Sequence, residues 1–154
     1  MGSVQLQADT FESAESCLFA GDYQECLIQI DTALADGDNG ERWYLLRLDC
    51  QLMTGEYEKA LETLEEGLRD NPNSIQLRLA GSEVWKLNNN MQRGRELLVE
   101  LDELLQYRRW RYRDAWNQVT QGRYQLLKGA DAKEVLDKSL TPAALKAPDQ
   151  AVAF

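Results

Sequence analysis

The chain has 154 residues, enough for one ordinary domain, and its 44% hydrophobic and 28% charged residues describe a packed globular segment rather than a disordered one. Its 26 acidic against 17 basic side chains leave a net charge of -9, which disfavours a nucleic-acid or anionic-membrane partner. It has no histidine, and it contains no phosphate-loop, dinucleotide or nucleophile-elbow spacing, so no catalytic residue, cofactor or metal ligand is expected.

Met1-Gly2-Ser3-Val4 carries neither a basic nor an apolar leader run and reads as the start of a trimmed fragment. The compartment therefore stays open: cytoplasmic, or periplasmic if a signal was removed. No run of about 18 apolar residues occurs, so no membrane span is expected. From about Ala8 to Ala20, Phe11, Ala14, Cys17 and Leu18 recur at helical spacing. Gly21-Asp22 breaks that helix, and Asp22 is placed to cap the next, which carries Tyr23, Cys26, Leu27, Ile30, Ala33 and Leu34 on one stripe. Asp36-Gly37-Asp38-Asn39-Gly40 is a loop; it lacks the remaining ligands of a calcium site. A second pair runs Glu41–Thr54 and Glu56–Arg69 and ends at Asp70-Asn71-Pro72-Asn73. A third runs from about Ser74 to Leu87, turns at Asn88-Asn89-Asn90, and continues from Met91 to about Tyr107. Beyond it the pattern predicts a long helix from about Trp110 to Lys128, a turn at Gly129-Ala130-Asp131, and a short helix to Ser139. Thr141-Pro142 reads as a fresh helix start, and Ala147-Pro148-Asp149-Gln150 as the opening of another.

The pairs share a register. Gly21, Gly55 and Asn89 are each 34 residues apart, and Asn is the best substitute for Gly where φ must be positive. The same step joins Cys26, Ala60 and Gly94, all small; Ile30, Leu64 and Leu98, all aliphatic; and Phe19, Met53 and Leu87. Cys17, Cys26 and Cys50 are odd in number and lack C-x-x-C spacing, so they read as small buried hydrophobes, free and inert.

These residues resemble the tetratricopeptide repeat, a 34-residue helix–turn–helix. The second repeat matches best, with Tyr44 near its start, Gly55 and Tyr57 at the turn, Ala60 and Leu64 on the second helix, and Pro72 at the end. Leu48 and Gln51 stand where the motif prefers Gly and Tyr, and the first repeat lacks the Pro. The resemblance implies an all-α fold: an α-α superhelix, a solenoid of antiparallel helix pairs in a single domain. It has about three repeats (about 7–40, 41–74 and 75–108), an irregular helical pair (about 109–140) and a tail (141–154). The stretches around Leu101-Asp102-Glu103-Leu104, Arg109 to Asp114 and Lys128 to Asp137 look like the amino-terminal repeat region of large bacterial tetratricopeptide proteins, some of which end in a metallopeptidase-like domain.

The resemblance also places the first helix of each pair along a concave groove. There it sets Phe11, Glu15, Leu18 and Phe19; Arg42, Leu45, Asp49, Leu52 and Met53; and Gln76, Leu79, Glu83, Lys86 and Leu87. Phe11, Leu45 and Leu79 form an apolar stripe, and Glu15, Asp49 and Glu83 a carboxylate ladder, which suits a basic or amphipathic peptide. The competing reading pairs these acids with Arg42, Arg47 and Lys86. The groove does not resemble the Lys/Asn clamp that holds terminal carboxylates in some family members. Charge is uneven: residues 1–74 carry 16 acidic and 4 basic side chains, residues 75–154 carry 10 and 13. The basic segment, with Arg109, Trp110, Arg111 and Arg113, reads as a helical corner or a second protein contact. The expected function is a non-catalytic scaffold for a peptide or protein partner. The alternative is an accessory segment of a larger enzyme. Leu136, Leu140 and Leu145 near the carboxyl end suggest self-association there.

Overall fold

In the computed structural model, which describes residues 2–146, every regular element among the described residues is helical. Six α-helices come first: α1 Gly2–Ala20, α2 Tyr23–Ala35, α3 Glu41–Met53, α4 Tyr57–Asp70, α5 Ile75–Leu87 and α6 Met91–Tyr107. A 3-10 turn, Arg109–Arg111, precedes α7 Ala115–Leu127. Then come α8 Ala132–Val135, a π turn over Leu136–Leu140, and α9 Thr141–Lys146. The described residues fall into two compact units that divide after Glu96.

In the first unit one capping geometry recurs. Gly21, Gly55 and Asn89 all have positive φ, at 80°, 76° and 60°. At each, the left-handed residue donates its N–H three residues back and the next residue donates five back. Gly21 bonds to Leu18 and Asp22 to Cys17, Gly55 to Leu52 and Glu56 to Gln51, and Asn89 to Lys86 and Asn90 to Trp85. These bonds satisfy the carbonyls that a helix end leaves orphaned. Asp22 precedes α2 as expected, but its side chain makes no capping bond.

The small-residue column also has its structural reason. Cys26 and Ala60 are fully buried, and a Cβ added to Gly94 of α6 would stand 2.7 Å from the Ser82 carbonyl oxygen of α5. The helix backbones approach too closely there for a side chain. Gly67 is similar, with Tyr44 2.9 Å from a Cβ placed on it. The core beneath α1, α2 and α3 is Phe11, Ala14, Cys26, Ile30, Trp43, Leu46 and Cys50. Polar bonds pin its edges. Trp43 Nε1 donates to Asp38 at 2.7 Å, the Tyr44 hydroxyl to Asp70 at 2.5 Å, and Asn71 Nδ2 to the Asn39 carbonyl at 2.9 Å.

The second unit departs from the sequence expectation at two places. The helix expected from Trp110 begins at Ala115 instead. Asp114 adopts an extended backbone and its carboxylate accepts from the Asn117 N–H at 3.0 Å, which starts the helix at the following residue. Thr141-Pro142 opens α9 with Pro142 in its first turn, as expected, but Thr141 does not stand outside it as an extended cap. Thr141 is itself helical, and the chain passes into α9 through the π turn. Pro142 has no N–H to give and its ring crowds the preceding turn, which a widened turn accommodates. Gly129 has φ 84° at the expected turn, and Asp131 caps α8 through the Glu134 N–H at 2.9 Å. Ala115, Val119 and Ala143 form a small core with Leu140 against it.

Candidate functional site

Helices α1, α3 and α5 neighbour one another in sequence register, α3 packing on both α1 and α5. Each carries the same three residues at intervals of four: Phe11, Glu15 and Phe19; Leu45, Asp49 and Met53; Leu79, Glu83 and Leu87. Residues four apart lie one above another on a helix. The result is a three-by-three pattern, apolar, acidic and apolar again.

The first apolar row is largely spent on the fold. Phe11 is buried, its ring 4.9 Å from that of Trp43 in an edge-on arrangement, and Leu45 and Leu79 are half-buried. Arg42 lays its guanidinium 3.5 Å from the Phe11 ring centroid. Partial desolvation there draws the Arg42 pKa down, and the carboxylates of Glu15, Asp38 and Glu12 oppose the shift.

The acidic row is more open. Glu15 is half-buried, while Asp49 and Glu83 are exposed. Lys86 reaches Glu83 at 3.4 Å on the same helix. Arg47 bonds Asp31 of α2 at 3.1 Å.

The second apolar row, which the resemblance also sets along the groove, is the open one. Phe19, Met53 and Leu87 are 76%, 66% and 38% exposed, each the last or next-to-last residue of its helix. Beside Leu87 an open cleft of about 510 Å³ is lined by Gly55, Glu56, Tyr57, Lys59 and Asn88. Asn88 Nδ2 donates to the Tyr57 carbonyl at 2.9 Å, tying the two turns together.

In the second unit Tyr107 and Trp110 are 82% and 69% exposed, and Arg111 and Arg113 are exposed. Tyr112 is buried, so the aromatic interleaving splits between core and surface. The side chain of Arg109 lies outside the described residues, as do residues 147–154. Leu136 and Leu145 are exposed, and Leu140 packs inward. Among the described residues no group of three His, Cys, Asp or Glu is placed to hold a metal, and no helix is long and apolar enough to cross a membrane.

No protein-family model matches the chain, and no curated protein matches it.

Proposed function

We propose that the chain is a tetratricopeptide-like repeat scaffold that binds an extended, basic and amphipathic segment of a partner protein across α1, α3 and α5. The observation that carries this reading is the exposed row Phe19, Met53 and Leu87 standing one turn from Glu15, Asp49 and Glu83 on three neighbouring helices. A repeated apolar row left in water beside repeated carboxylates suits a partner that brings both apolar and cationic groups.

The spacing narrows the partner further. Packed helices lie about 8–10 Å apart. A polyproline-type chain rises about 3.1 Å per residue and repeats its side-chain direction every three residues. Basic side chains at every third position therefore meet the three carboxylates in turn, with apolar side chains between them facing the second row. The existing surface pair of Lys86 with Glu83 presents little obstacle, since exposed pairs contribute only about 0–1 kcal/mol. Trp110, Arg111 and Arg113 offer a second protein contact in the other unit.

Selection from a random displayed-peptide library against the full chain tests the proposal. The expected enrichment is Lys or Arg at three-residue intervals with apolar residues between them. Enrichment of acidic peptides, or of none, contradicts it.

A further inference from the structure

Two of the three thiols touch. Cys26 of α2 and Cys50 of α3 are fully buried with their Sγ atoms 3.1 Å apart. A disulfide needs an S–S distance of about 2.05 Å, so roughly 1 Å of closure suffices. Cys17 of α1 is only half-buried and packs against the same cluster, its sulfur accepting from Gln29 Nε2 at 3.6 Å. Burial pushes the Cys26 and Cys50 thiols up, and the charge of nearby Cys17 adds to the rise at Cys26. Both inner thiols are therefore closed to a dissolved oxidant by burial, while the outer one is not enclosed.

We infer that Cys26 and Cys50 form an internal disulfide, entered through Cys17, with a small-molecule disulfide such as oxidised glutathione as the oxidant. Cys17 loses its proton to water and attacks one sulfur of the oxidant, forming a Cys17–glutathione bond and releasing one glutathione thiol. Cys26 then attacks the Cys17 sulfur, and the second glutathione leaves with the Cys26 proton. Finally Cys50 attacks the Cys26 sulfur, and Cys17 leaves as a thiol carrying the Cys50 proton. Two protein thiols are oxidised and one external disulfide is reduced to two thiols. The order of the steps follows the gradient of burial from Cys17 inward. The product links α2 to α3 across a sequence separation of 24 residues and restricts the unfolded chain.

The test is incubation of the full chain with oxidised glutathione at about pH 8, where thiolate becomes appreciable, followed by alkylation and peptide mass mapping. The expected end product has a Cys26–Cys50 bond and one alkylated thiol, Cys17. Its unfolding midpoint should rise by roughly 10 °C, reversibly with dithiothreitol. Cys17→Ser should slow the reaction roughly tenfold or more. Cys50→Ala should stop at a Cys17 adduct or a Cys17–Cys26 bond, and Cys26→Ala, the second variant should that one fold poorly, should stop at the Cys17 adduct. Three alkylated thiols, a lasting Cys17–glutathione adduct in the unmutated chain, or an unchanged rate in Cys17→Ser would overturn the inference.

Discussion

Arg42 of α3 stacks on Phe11 of α1, its guanidinium carbon 3.5 Å from the ring centroid, so a surface cation closes the edge of the first hydrophobic core. The stack joins two helices that belong to successive pairs. Arg42→Ala should lower stability by about 0.5–1 kcal/mol, the usual range for an accessible cation–π contact. Arg42→Lys should recover part of that loss. Urea midpoints of the three proteins check it, and an unchanged midpoint in Arg42→Ala means the stack is incidental.

Gly94 sits in the interior of α6, where alanine is ordinarily better than glycine by about 1 kcal/mol. The Ser82 carbonyl, 2.7 Å from where a Cβ would be, reverses that preference. Gly94→Ala should destabilise by about 1–3 kcal/mol, because backbone must move to admit the methyl group. A stabilised Gly94→Ala protein would show that α5 and α6 do not approach closely.

Asn89 holds φ at 60°, a conformation that disfavours a Cβ by about 1–2 kcal/mol, although Asn tolerates it better than most residues. Asn89→Gly should be neutral or slightly stabilising, and Asn89→Ala should lose about 1 kcal/mol. Thermal melts of the pair distinguish this from a turn with no backbone demand, in which alanine and glycine behave alike.

The Tyr44 phenol is pushed up to about 12, first by burial and then by the hydrogen bond to Asp70. An unfolded tyrosine titrates near about 10. Its folded value is therefore the higher one, so its contribution is complete below about pH 10 and is lost as the pH rises towards about 12. Tyr44→Phe should cost about 1–2 kcal/mol at neutral pH, and its deficit should shrink between about pH 10 and about pH 12. Urea titrations of both proteins across that interval measure the difference; a constant deficit means Tyr44 does not titrate late.

The repeat register was legible because its signals are local. A left-handed turn demands Gly or Asn, and Gly21, Gly55 and Asn89 stand at one interval with one capping pattern. A close helix crossing demands a small residue, and Cys26, Ala60 and Gly94 supply it. The second unit was less legible because its breaks depend on choices among neighbours. Asp114 starts α7 by taking the Asn117 N–H, although nothing in the periodicity before it ends the pattern. Pro142 stands in the first turn of α9, as a helix-start proline does, but a π turn rather than a capped break precedes that helix. In the candidate site the carboxylate ladder was readable by counting. The exposure of Phe19 and Met53, and the covering of Phe11 by Arg42, depend on which apolar residues the packing leaves over.

Binding across α1, α3 and α5 is tested most directly with synthetic peptides bearing three lysines at intervals of two, three or four residues. Their affinities for the unmutated chain are compared with those for Glu15→Gln, Asp49→Asn, Glu83→Gln combined in one protein. The three-residue spacing should bind best and weaken with added salt. The triple variant should lose roughly tenfold in affinity, from three exposed pairs of about 0–1 kcal/mol each, while keeping its thermal midpoint. Equal affinity for all spacings, or a triple variant that binds as before but melts lower, would show that the carboxylate ladder serves the fold and not a partner.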